Sequence, residues 1–301
     1  MTVLMLCREP RLYSCQRLKQ AAEAKGFQVD ILDPQRFLLR TEQGKFSLFY
    51  QQGEVYDKPR CSPKSLGDYV GVLPRFGVSG TEIGCHILRH FEYRQIPVLN
   101  TAQAFSLARH KWQSLQVLNA HGIPTPSTVL AGELYGTMET LQQFPLPSVI
   151  KTLSGSQGCG VMLADNQSNA VSLLNTLHTA KVPTLLQAFI SESQGQDIRV
   201  FVVGDEVVAA MQRRSAKGEF RANIHQGGSA SPVELTVEER LLAIKATQVI
   251  GLDVAGVDLI RTQQGTMVLE VNAAPGLEMI ERISQVDIAS RMVERLLAKI
   301  S

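Results

Sequence analysis

The sequence predicts an α/β fold, in which an N-terminal parallel α/β domain is followed by two α+β subdomains. Strand-like and helix-like segments alternate through residues 1–100, which is the pattern of a parallel sheet with right-handed crossovers. Strand-like segments follow one another directly in the last third of the chain, as they do in an antiparallel sheet. The chain has 301 residues, of which 44% are hydrophobic and 19% charged, a composition that excludes intrinsic disorder and allows two or three packed units.

Composition also narrows the functional classes. The formal net charge is +2, from 30 Lys+Arg against 28 Asp+Glu, which is too balanced for a surface devoted to nucleic acid. No apolar stretch approaches the length that spans a bilayer, and the first residues lack a basic leader with a cleavage site. We therefore expect a cytoplasmic protein with no membrane partner and no direct nucleic-acid binding. Five scattered cysteines, without CxxC spacing, are typical of reduced thiols: Cys7, Cys15, Cys61, Cys85 and Cys159.

Residues 1–100 are predicted to form the first domain. Gly26 ends the first predicted helix, and an Asp-Pro pair at 33–34 closes the second strand. No GxGxxG motif follows the first strand, so a dinucleotide-binding function has little support. The predicted elements are strand Thr2–Leu6, helix Leu12–Lys25, strand Phe27–Leu32, a hairpin around Phe46–Tyr50, strand Tyr69–Leu73 and helix Gly80–Tyr93.

Residues 101–190 are predicted to form a linker helix and a small central α+β subdomain. Asn100 and Gln103 resemble a capping box at the start of one long helix, which runs to Ala120 before Gly122 ends it. The prolines at positions 124 and 126 are expected to form a hinge into the next unit. Strands are predicted at Ser127–Leu130, Ser148–Thr152, Val161–Ala164 and Thr184–Phe189, with one helix between the first two and another near Asn169–Ala180.

Residues 191–301 are predicted to form a third unit, a larger antiparallel sheet with helices over one face. No internal repeat or low-complexity segment interrupts it. The predicted strands are Asp197–Val203, Glu206–Arg214, Glu219–Ile224, Val254–Arg261 and Met267–Asn272, and the predicted helices are Thr236–Ile250 and Ile288–Lys299.

Asp258, Glu270 and Asn272 form the strongest candidate site in the sequence. They lie on two predicted strands joined by a hairpin-sized turn. With a three-residue loop that sets Thr262 opposite Thr266, Asp258 falls opposite Glu270, and the two side chains begin about 5 Å apart. Period two puts Glu270 and Asn272 on the same face. Two carboxylates and an amide oxygen suit Mg²⁺ or Mn²⁺, and the alternative is an exposed pair of acids across two strands.

A glycine-rich loop between two predicted strands is the second candidate. It runs from Lys151 through Ser156 to Val161 with the sequence KTLSGSQGCGV. Glycines let backbone N–H groups approach phosphate oxygens, and the lysine adds a positive charge. The alternative is a flexible hairpin tip. Cys159 lies between two glycines of the loop, and it is either an incidental small residue or an accessible thiol beside bound phosphates.

A basic segment that begins at residue 213 is the third candidate. Asp197 and Arg199 share one face of a neighbouring predicted strand. Arginines directed at one place suit phosphate or carboxylate recognition through their planar donor fork, and the alternative is a solvated basic hairpin. The residues of this segment that could bind a ligand are Arg213, Arg214, Lys217, Arg221, Asn223, Gly228 and Ser229.

Taken in chain order, these motifs resemble the ATP-grasp ligases, most closely the RimK type, which adds glutamate to the carboxyl end of a small-subunit ribosomal protein. The resemblance covers nearly the whole chain, and it is the order of the motifs that is specific. The segments that carry it are LYSC at 12–15, PRFG at 74–77, Lys111, the Lys151 loop, QAFI at 187–190, GQDIR at 195–199, FRAN at 220–223, AGVD at 255–258 and LEVN at 269–272.

The resemblance implies an ATP-grasp fold that clasps ATP, with two Mg²⁺ or Mn²⁺ ions held by Asp258, Glu270 and Asn272. It implies L-glutamate as a substrate and, as acceptor, a protein or peptide with a free carboxyl end, a ribosomal protein in the RimK type. It also implies a homo-oligomer. The implied ATP-binding residues are Lys111, Lys151, Ser156, Gln187, Ala188, Phe189, Asp197, Arg221, Ala222 and Asn223. The implied catalytic residues are Arg199, Arg221 and Asn223, and the implied substrate-binding residues are Arg199, Arg213, Arg214, Gly228 and Ser229.

Ala188 departs from the pattern of this family, in which Glu is frequent at that position. An adenine contact made by the backbone survives that change, whereas a side-chain contact does not. Two other functions remain open on the sequence. One is the same ligation on a small molecule, peptide or carrier protein, as in glutathione synthesis, and the other is a nucleotide-binding regulator without turnover. The metal-ligand set, complete in the sequence, argues against the regulator.

Overall fold

The structure of the chain, a computed structural model, describes residues 1–53, 64–142, 144–155, 160–193, 195–216 and 227–300. Within these ranges no helix combines the length and the apolar character that crossing a bilayer requires. Some of the residues discussed above lie outside them, namely the predicted strand Glu219–Ile224 and Cys61, Ser156, Cys159, Lys217, Arg221, Ala222 and Asn223.

The N-terminal domain contains a parallel three-stranded sheet in the order β2-β1-β6, as the alternation of strands and helices predicts. Both faces of β1 are buried, because Leu4 and Leu6 pack into one core cluster while Val3 and Met5 pack into another. A second small sheet has the order β3-β4-β5. The elements are β1 (Thr2–Leu6), α1 (Tyr13–Ala24), β2 (Gln28–Leu32), β3 (Phe37–Glu42), β4 (Lys45–Tyr50), β5 (Lys64–Ser65), β6 (Gly71–Pro74) and α2 (Thr81–Tyr93).

The single long helix predicted after residue 100 is wrong, because the structure has two helices there, α3 (Ala102–Arg109) and α4 (Lys111–Ala120). His110 separates them with an extended backbone, at φ −92° and ψ 96°. Its ring Nδ1 accepts a hydrogen bond from the Gln113 N–H at 3.3 Å and so caps the start of α4. His110 therefore marks the end of α3 and caps the start of α4.

The sequence motif predicts that Asn100 caps the helix, and this prediction is wrong. The cap is Thr101, whose hydroxyl accepts from the Ala104 N–H at 3.2 Å. Asn100 is buried with φ +76°, and its amide bonds instead to the backbone of the C-terminal sheet. The Asn100 amide nitrogen donates to the carbonyls of Val254 and Ala273, each at 2.8 Å. Its oxygen accepts from the N–H groups of residues 253 and 254 at 2.8 and 2.9 Å, so this side chain joins the linker to the third sheet.

The middle of the chain forms a separate antiparallel sheet in the order β7-β10-β8-β9, with a hydrophobic core of its own. The carbonyl of Pro124, just before this unit, accepts from the Val268 N–H at 2.8 Å, which holds that end of the connection on the C-terminal sheet. The elements are β7 (Thr128–Val129), α5 (Thr137–Gln142), β8 (Ser148–Thr152), β9 (Val161–Ala164), α6 (Gln167–Thr179) and β10 (Thr184–Ala188).

The C-terminal unit is a five-stranded antiparallel sheet in the order β13-β12-β11-β14-β15, which confirms the predicted sheet type. Strand β13 and helix α8 have no counterpart in the prediction. The elements are β11 (Gln196–Val203), β12 (Glu206–Arg214), β13 (Ser229–Pro232), α7 (Val237–Ile250), β14 (Val254–Thr262), β15 (Gly265–Asn272), α8 (Glu278–Ser284) and α9 (Ile288–Leu297).

Helices cover both faces of this sheet, and the prediction that they cover one face is wrong. Val200 packs with Ala243 of α7 in the core cluster that also contains residues of β1 and α2. Phe201 points to the opposite face and packs with Met292 of α9. The N-terminal domain and the C-terminal sheet therefore share their cores, whereas the middle sheet does not. Asp197 lies on the same face as Phe201, four residues earlier along β11, at the end of the sheet where the polar site is found.

Helix α7 begins with the full capping box. The Thr236 hydroxyl accepts from the Glu239 N–H at 3.2 Å, and the Glu239 carboxylate accepts from the Thr236 N–H at 3.0 Å. We expect Thr236→Ala to lower the free energy of unfolding by about 1 kcal/mol, measured by urea denaturation. The exposed Thr179→Ala at the end of α6 is the control, with an expected change within about 0.5 kcal/mol. Equal effects of the two substitutions would contradict a stabilising cap at Thr236.

Candidate active site

The hairpin of β14 and β15 places Asp258 opposite Glu270, as predicted, but through a different register. The loop has two residues, because Thr262 pairs with Gly265 and not with Thr266. A β-bulge between Asp258 and Leu259 then shifts the pairing by one residue, and this shift restores the predicted pair. The predicted loop length is wrong, but the predicted pairing of Asp258 with Glu270 is confirmed.

Asp258 is buried and bonded to two arginines. Arg199, directly opposite on β11, binds both carboxylate oxygens, and its Nη2 lies 2.7 Å from Oδ2. The Nη2 of Arg213 donates to the same Oδ2 at 2.8 Å. Burial opposes ionisation of Asp258, but the two guanidinium groups outweigh it and lower its pKa to about 2. Asp258 is therefore an ionised carboxylate in a low-dielectric environment.

Asp197 completes this network by binding Arg213 from the other side. The Nε and Nη2 of Arg213 donate to the two oxygens of Asp197 at 2.6 and 2.7 Å. Burial, assisted by the neighbouring charge of Asp258, raises the pKa of Asp197 to about 6 against the effect of Arg213. In this structure Arg199 and Arg213, both implied to bind substrate, are occupied by carboxylates of the chain itself.

Glu270 and Asn272 are more open than Asp258. The Glu270 side chain is exposed, and the Asn272 amide nitrogen donates to its Oε1 at 3.0 Å and to the Gly256 carbonyl at 3.3 Å. With Asp258 these residues offer only oxygen donors, two from carboxylates and one from an amide, which is the donor chemistry of Mg²⁺. The described residues contain no group of three His, Cys, Asp or Glu placed to hold a metal, so the Asn272 amide would have to be the third ligand.

Lys151, on β8 of the middle sheet, faces the acidic residues of the C-terminal sheet. Its Nζ donates to Gln187 Oε1 at 2.6 Å, and the Gln187 amide in turn donates to the Thr128 hydroxyl at 3.0 Å. Burial lowers the pKa of Lys151, while Glu270 and Asp258 raise it, so these carboxylates are near enough to act on the ammonium group. A positive charge of the middle sheet thus lies within electrostatic reach of the carboxylates of the C-terminal sheet, and we call the space between Lys151 and these carboxylates the cleft.

Lys111, the first residue of α4, holds the start of the glycine-rich loop. Its Nζ donates to the backbone carbonyls of residues 152, 153 and 155 at 2.8, 3.3 and 3.1 Å. Burial lowers the pKa of Lys111, and Glu270 raises it. At the other end of the loop Gly160 has φ +75°, and a Cβ there would lie 2.0 Å from the Thr152 hydroxyl, so the loop requires glycine at this position.

The remaining residues implied by the resemblance lie at two strand ends. The Ala188 N–H donates to the Ser127 carbonyl at 2.8 Å, and the Phe189 N–H donates to the Pro147 carbonyl at 3.3 Å. A base that read these two N–H groups would have to replace those bonds. Arg214 is exposed and pairs with Ser229 across β12 and β13, and Gly228 directly precedes β13.

Three residues of the site were not predicted from the sequence, or were predicted to have another role. Thr128 and the side chain of Gln187 hold Lys151, and Arg213 neutralises two aspartates. The sequence alone does not indicate Arg213, because the β11–β12 turn mirrors Asp197 onto Gln212, and only a bulge between Phe201 and Val202 pairs Asp197 with Arg213. No local pattern indicates Thr128, since it meets Gln187 only through the pairing of β7 with β10.

Comparison with known proteins identifies the family. Residues 1–105 match the model of the RimK PreATP-grasp domain, and residues 108–296 match that of the RimK-like ATP-grasp domain. The chain is 55% identical to a protein of Haemophilus ducreyi named "Probable alpha-L-glutamate ligase", over 99% of both chains. A protein of the same name from Pasteurella multocida is 54% identical over 98% of this chain and 94% of its own length.

A solved structure shares the fold at low sequence identity. The RimK domain ATP-grasp protein of Sphaerobacter thermophilus superimposes with a TM-score of 0.72, covering 99% of this chain and 100% of its own, at 20% identity. The family models together match nearly the whole chain, in the order that its motifs predict. The chain therefore belongs to the RimK-like ATP-grasp family, and it is an ATP-grasp ligase.

Proposed function

We propose that this protein uses ATP to join L-glutamate, through its amino group, to the carboxyl end of a protein, with release of ADP and phosphate. The observation that supports this best is that Lys151 and Lys111 both lie within electrostatic reach of Glu270, which stands opposite Asp258 on the neighbouring strand. Lysines suit the phosphates of ATP, and the oxygen donors suit the Mg²⁺ that accompanies them. The name of the 55% identical relative supports glutamate as the substrate.

The acceptor that we propose is the C-terminal tail of a small-subunit ribosomal protein, as in the RimK-type ligases that the sequence resembles. We also propose a cytoplasmic location, since Cys7, Cys15 and Cys85 are buried free thiols of the kind that a reducing compartment preserves.

The reaction needs ATP because a carboxylate is a poor electrophile. An oxygen of the acceptor carboxylate attacks the γ-phosphorus, ADP leaves, and the product is an acyl phosphate. The amine of glutamate then attacks the carbonyl carbon, loses a proton, and phosphate departs with the electron pair of the broken C–O bond. Mg²⁺ held by Asp258, Glu270 and Asn272, one ion or two, would neutralise charge on the phosphates during the transfer.

The residues of the chain have distinct roles in this proposal. Lys151 binds phosphate oxygens, with its ammonium group positioned by Gln187, and Lys111 holds the glycine-rich loop over them. Arg199 stabilises the oxyanion that forms when the amine attacks. For this, one of its N–H groups leaves Asp258 and donates to the oxyanion. Arg221 and Asn223 assist at the acyl phosphate. The middle sheet closes over the cleft as a lid, because an acyl phosphate exposed to water would be hydrolysed.

The direct test measures ADP release with Mg-ATP and L-glutamate, while candidate acceptors are followed by intact mass spectrometry. We expect ADP release to require the acceptor, and the acceptor to gain the mass of one or more glutamyl residues at its C-terminus. Glutamylation of a small molecule or carrier protein instead would replace the proposed acceptor. Binding of ATP without any ligation product would contradict the enzymatic proposal.

We expect Lys151→Met to reduce kcat/KM for ATP by about 10- to 100-fold, because it removes a charge-assisted contact with phosphate. Lys245→Met, an exposed substitution on α7, is the control and should leave kcat/KM unchanged. The measurement is the initial rate of ADP release at varied ATP. An unchanged constant for Lys151→Met would exclude this lysine from the phosphate site.

A further inference from the structure

Arg75 and Arg109 are two half-buried cations to which the proposed reaction has so far given no role. Arg75 directly follows β6, and Arg109 is the last residue of α3. The Nε of each is buried without a hydrogen-bond partner, and neither forms an ion pair with a carboxylate in the parts of the chain that the structure describes. A buried guanidinium group without an anion is costly, so this pair points to a ligand.

Both guanidinium groups are held in place by the backbone. The Nη2 of Arg75 donates to the Pro275 carbonyl at 2.9 Å, and the Nη2 of Arg109 donates to the Phe76 carbonyl at 3.1 Å. Arg109 also lies over the Phe105 ring, with its Cζ 5.3 Å from the ring centroid. These bonds, with a further hydrogen bond between Arg75 and the Cys15 side chain, fix the orientation of each planar fork and leave most of its five donors for a ligand.

The pair lies at the edge where the N-terminal sheet meets the proposed reaction centre. Arg75 follows the carboxyl end of a parallel strand, the edge at which open α/β sheets bind their ligands. Its partner Pro275 lies in the loop directly after Asn272. Arg109 precedes Lys111 by two residues, and Glu270 is near enough to raise the pKa of Arg109 against the effect of burial. A ligand on these arginines would therefore lie next to the phosphates.

The charges around the pair also favour an anion. Burial lowers the pKa of both arginines, and their mutual repulsion lowers that of Arg109 further. The ionisable groups beside them include thiols, Cys7 and Cys15 at Arg75 and Cys85 at Arg109. Burial raises the pKa of Cys85 to about 11, and the hydrogen bond with Cys15 raises that of Cys7. The same bond, opposed by burial and assisted by Arg75, lowers the pKa of Cys15 to about 7, so the thiols supply at most a partial negative charge.

We propose that Arg75 and Arg109 bind the carboxylates of the amino acid substrate and so select a dicarboxylic amino acid. This inference rests on the proposed ligase function and names the residues that recognise its nucleophile. The acceptor carboxylate loses its charge when it becomes an acyl phosphate, so it does not need permanent cations beyond the phosphate site. Both carboxylates of glutamate stay ionised throughout the reaction, and planar guanidinium forks fit them better than ammonium groups do.

The test compares the binding of L-glutamate and L-glutamine by calorimetry, with the full chain in the presence of Mg-ADP. We expect the parent protein to bind L-glutamate at least tenfold more tightly than L-glutamine, which lacks one carboxylate. Arg109→Gln and Arg75→Gln should each weaken L-glutamate binding by about 10- to 100-fold and reduce this preference. Arg40→Gln, an exposed arginine on β3, is the control and should bind like the parent.

Two further variants, Arg109→Lys and Arg75→Lys, distinguish a loss of binding from a loss of folding, because they keep the charge and remove only the planar fork. We expect both to fold like the parent by circular dichroism and to bind L-glutamate with intermediate affinity. Unchanged L-glutamate binding in both Gln variants would overturn the inference, as would a parent protein that fails to bind L-glutamate. If Arg109→Gln glutamylates the acceptor with the KM for glutamate of the parent protein, the ligase proposal stands and the arginine site is excluded.

Discussion

Glu270→Gln is expected to reduce turnover by about 10³-fold while leaving the free energy of unfolding unchanged. Glu270 is exposed, and its hydrogen bond from the Asn272 amide at 3.0 Å can be kept by a glutamine oxygen. What the substitution removes is one negative charge beside Lys111 and the proposed metal. That charge matters in the reaction, when phosphate and cation are bound, and much less in the unliganded fold.

The measurement pairs ADP release at varied Mg²⁺ with urea denaturation of the same preparations. Glu133→Gln, an exposed acid of the middle unit, is the matched control and should change neither quantity. The Mg²⁺ concentration needed for half-maximal rate should rise in Glu270→Gln if the carboxylate is a metal ligand. A variant that keeps full activity would exclude Glu270 from the metal site.

Asp258→Asn is expected to reduce turnover to a similar extent and, in addition, to lower the free energy of unfolding by about 3 kcal/mol. The Asp258 side chain is 4% exposed and carries the charge opposite Arg199 and Arg213. An asparagine has no charge, and its NH2 group cannot accept the bond that Arg199 makes to the second carboxylate oxygen, so Arg199 would lose its counter-ion. Arg213 would keep Asp197 as its partner.

The stability difference between parent and Asp258→Asn should depend on pH in a defined direction. The pKa of Asp258 is lowered from 3.8 to about 2, so its ionised form is favoured by folding. Its contribution is complete above the unfolded pKa and is lost as pH falls through the folded one. Urea denaturation should therefore show a difference that shrinks as the pH falls from about 5 toward 2. A difference that persists unchanged at low pH would mean that the ion pairs are not its cause.

The two variants together separate structure from chemistry within one pair of opposed residues. Glu270 and Asp258 face each other across β14 and β15, yet one is exposed and the other is bound by two arginines. If both substitutions lowered stability equally, the contrast in burial would not govern their effects. If neither changed the rate, the cleft would not be the reaction centre.

The pairing of Asp258 with Glu270 could be predicted from sequence because the alternation of strand residues and a short turn restrict the choices. The loop length was wrong, and the correct pair emerged because a bulge at Asp258 compensated for one residue. A bulge depends on how the strand fits its neighbours, so local sequence rarely reveals it. The predicted pair was therefore correct although the predicted loop length was not.

The helix predicted from residue 100 to 120 shows the opposite case. Its apolar spacing is real, but the His110 cap divides it, and Asn100 is used by the C-terminal sheet instead of the helix. The partners of Asn100 lie more than 150 residues away in the chain. A side chain that fits a capping motif can thus be taken by a distant backbone, because four buried hydrogen bonds outweigh one at a solvent-exposed helix end.

The strand and helix types, the cross-strand acids and the order of motifs can be predicted from the sequence alone, because they depend on periodicity, turn residues and nearest neighbours in the chain. Which charged side chains meet depends on how distant segments pack. The Arg213 bonds to Asp258, the Gln187 contact with Lys151 and the approach of Arg75 to Pro275 join segments 36 to 200 residues apart. Their energies come from burial and from the exclusion of water, which exist only once these distant segments have packed together.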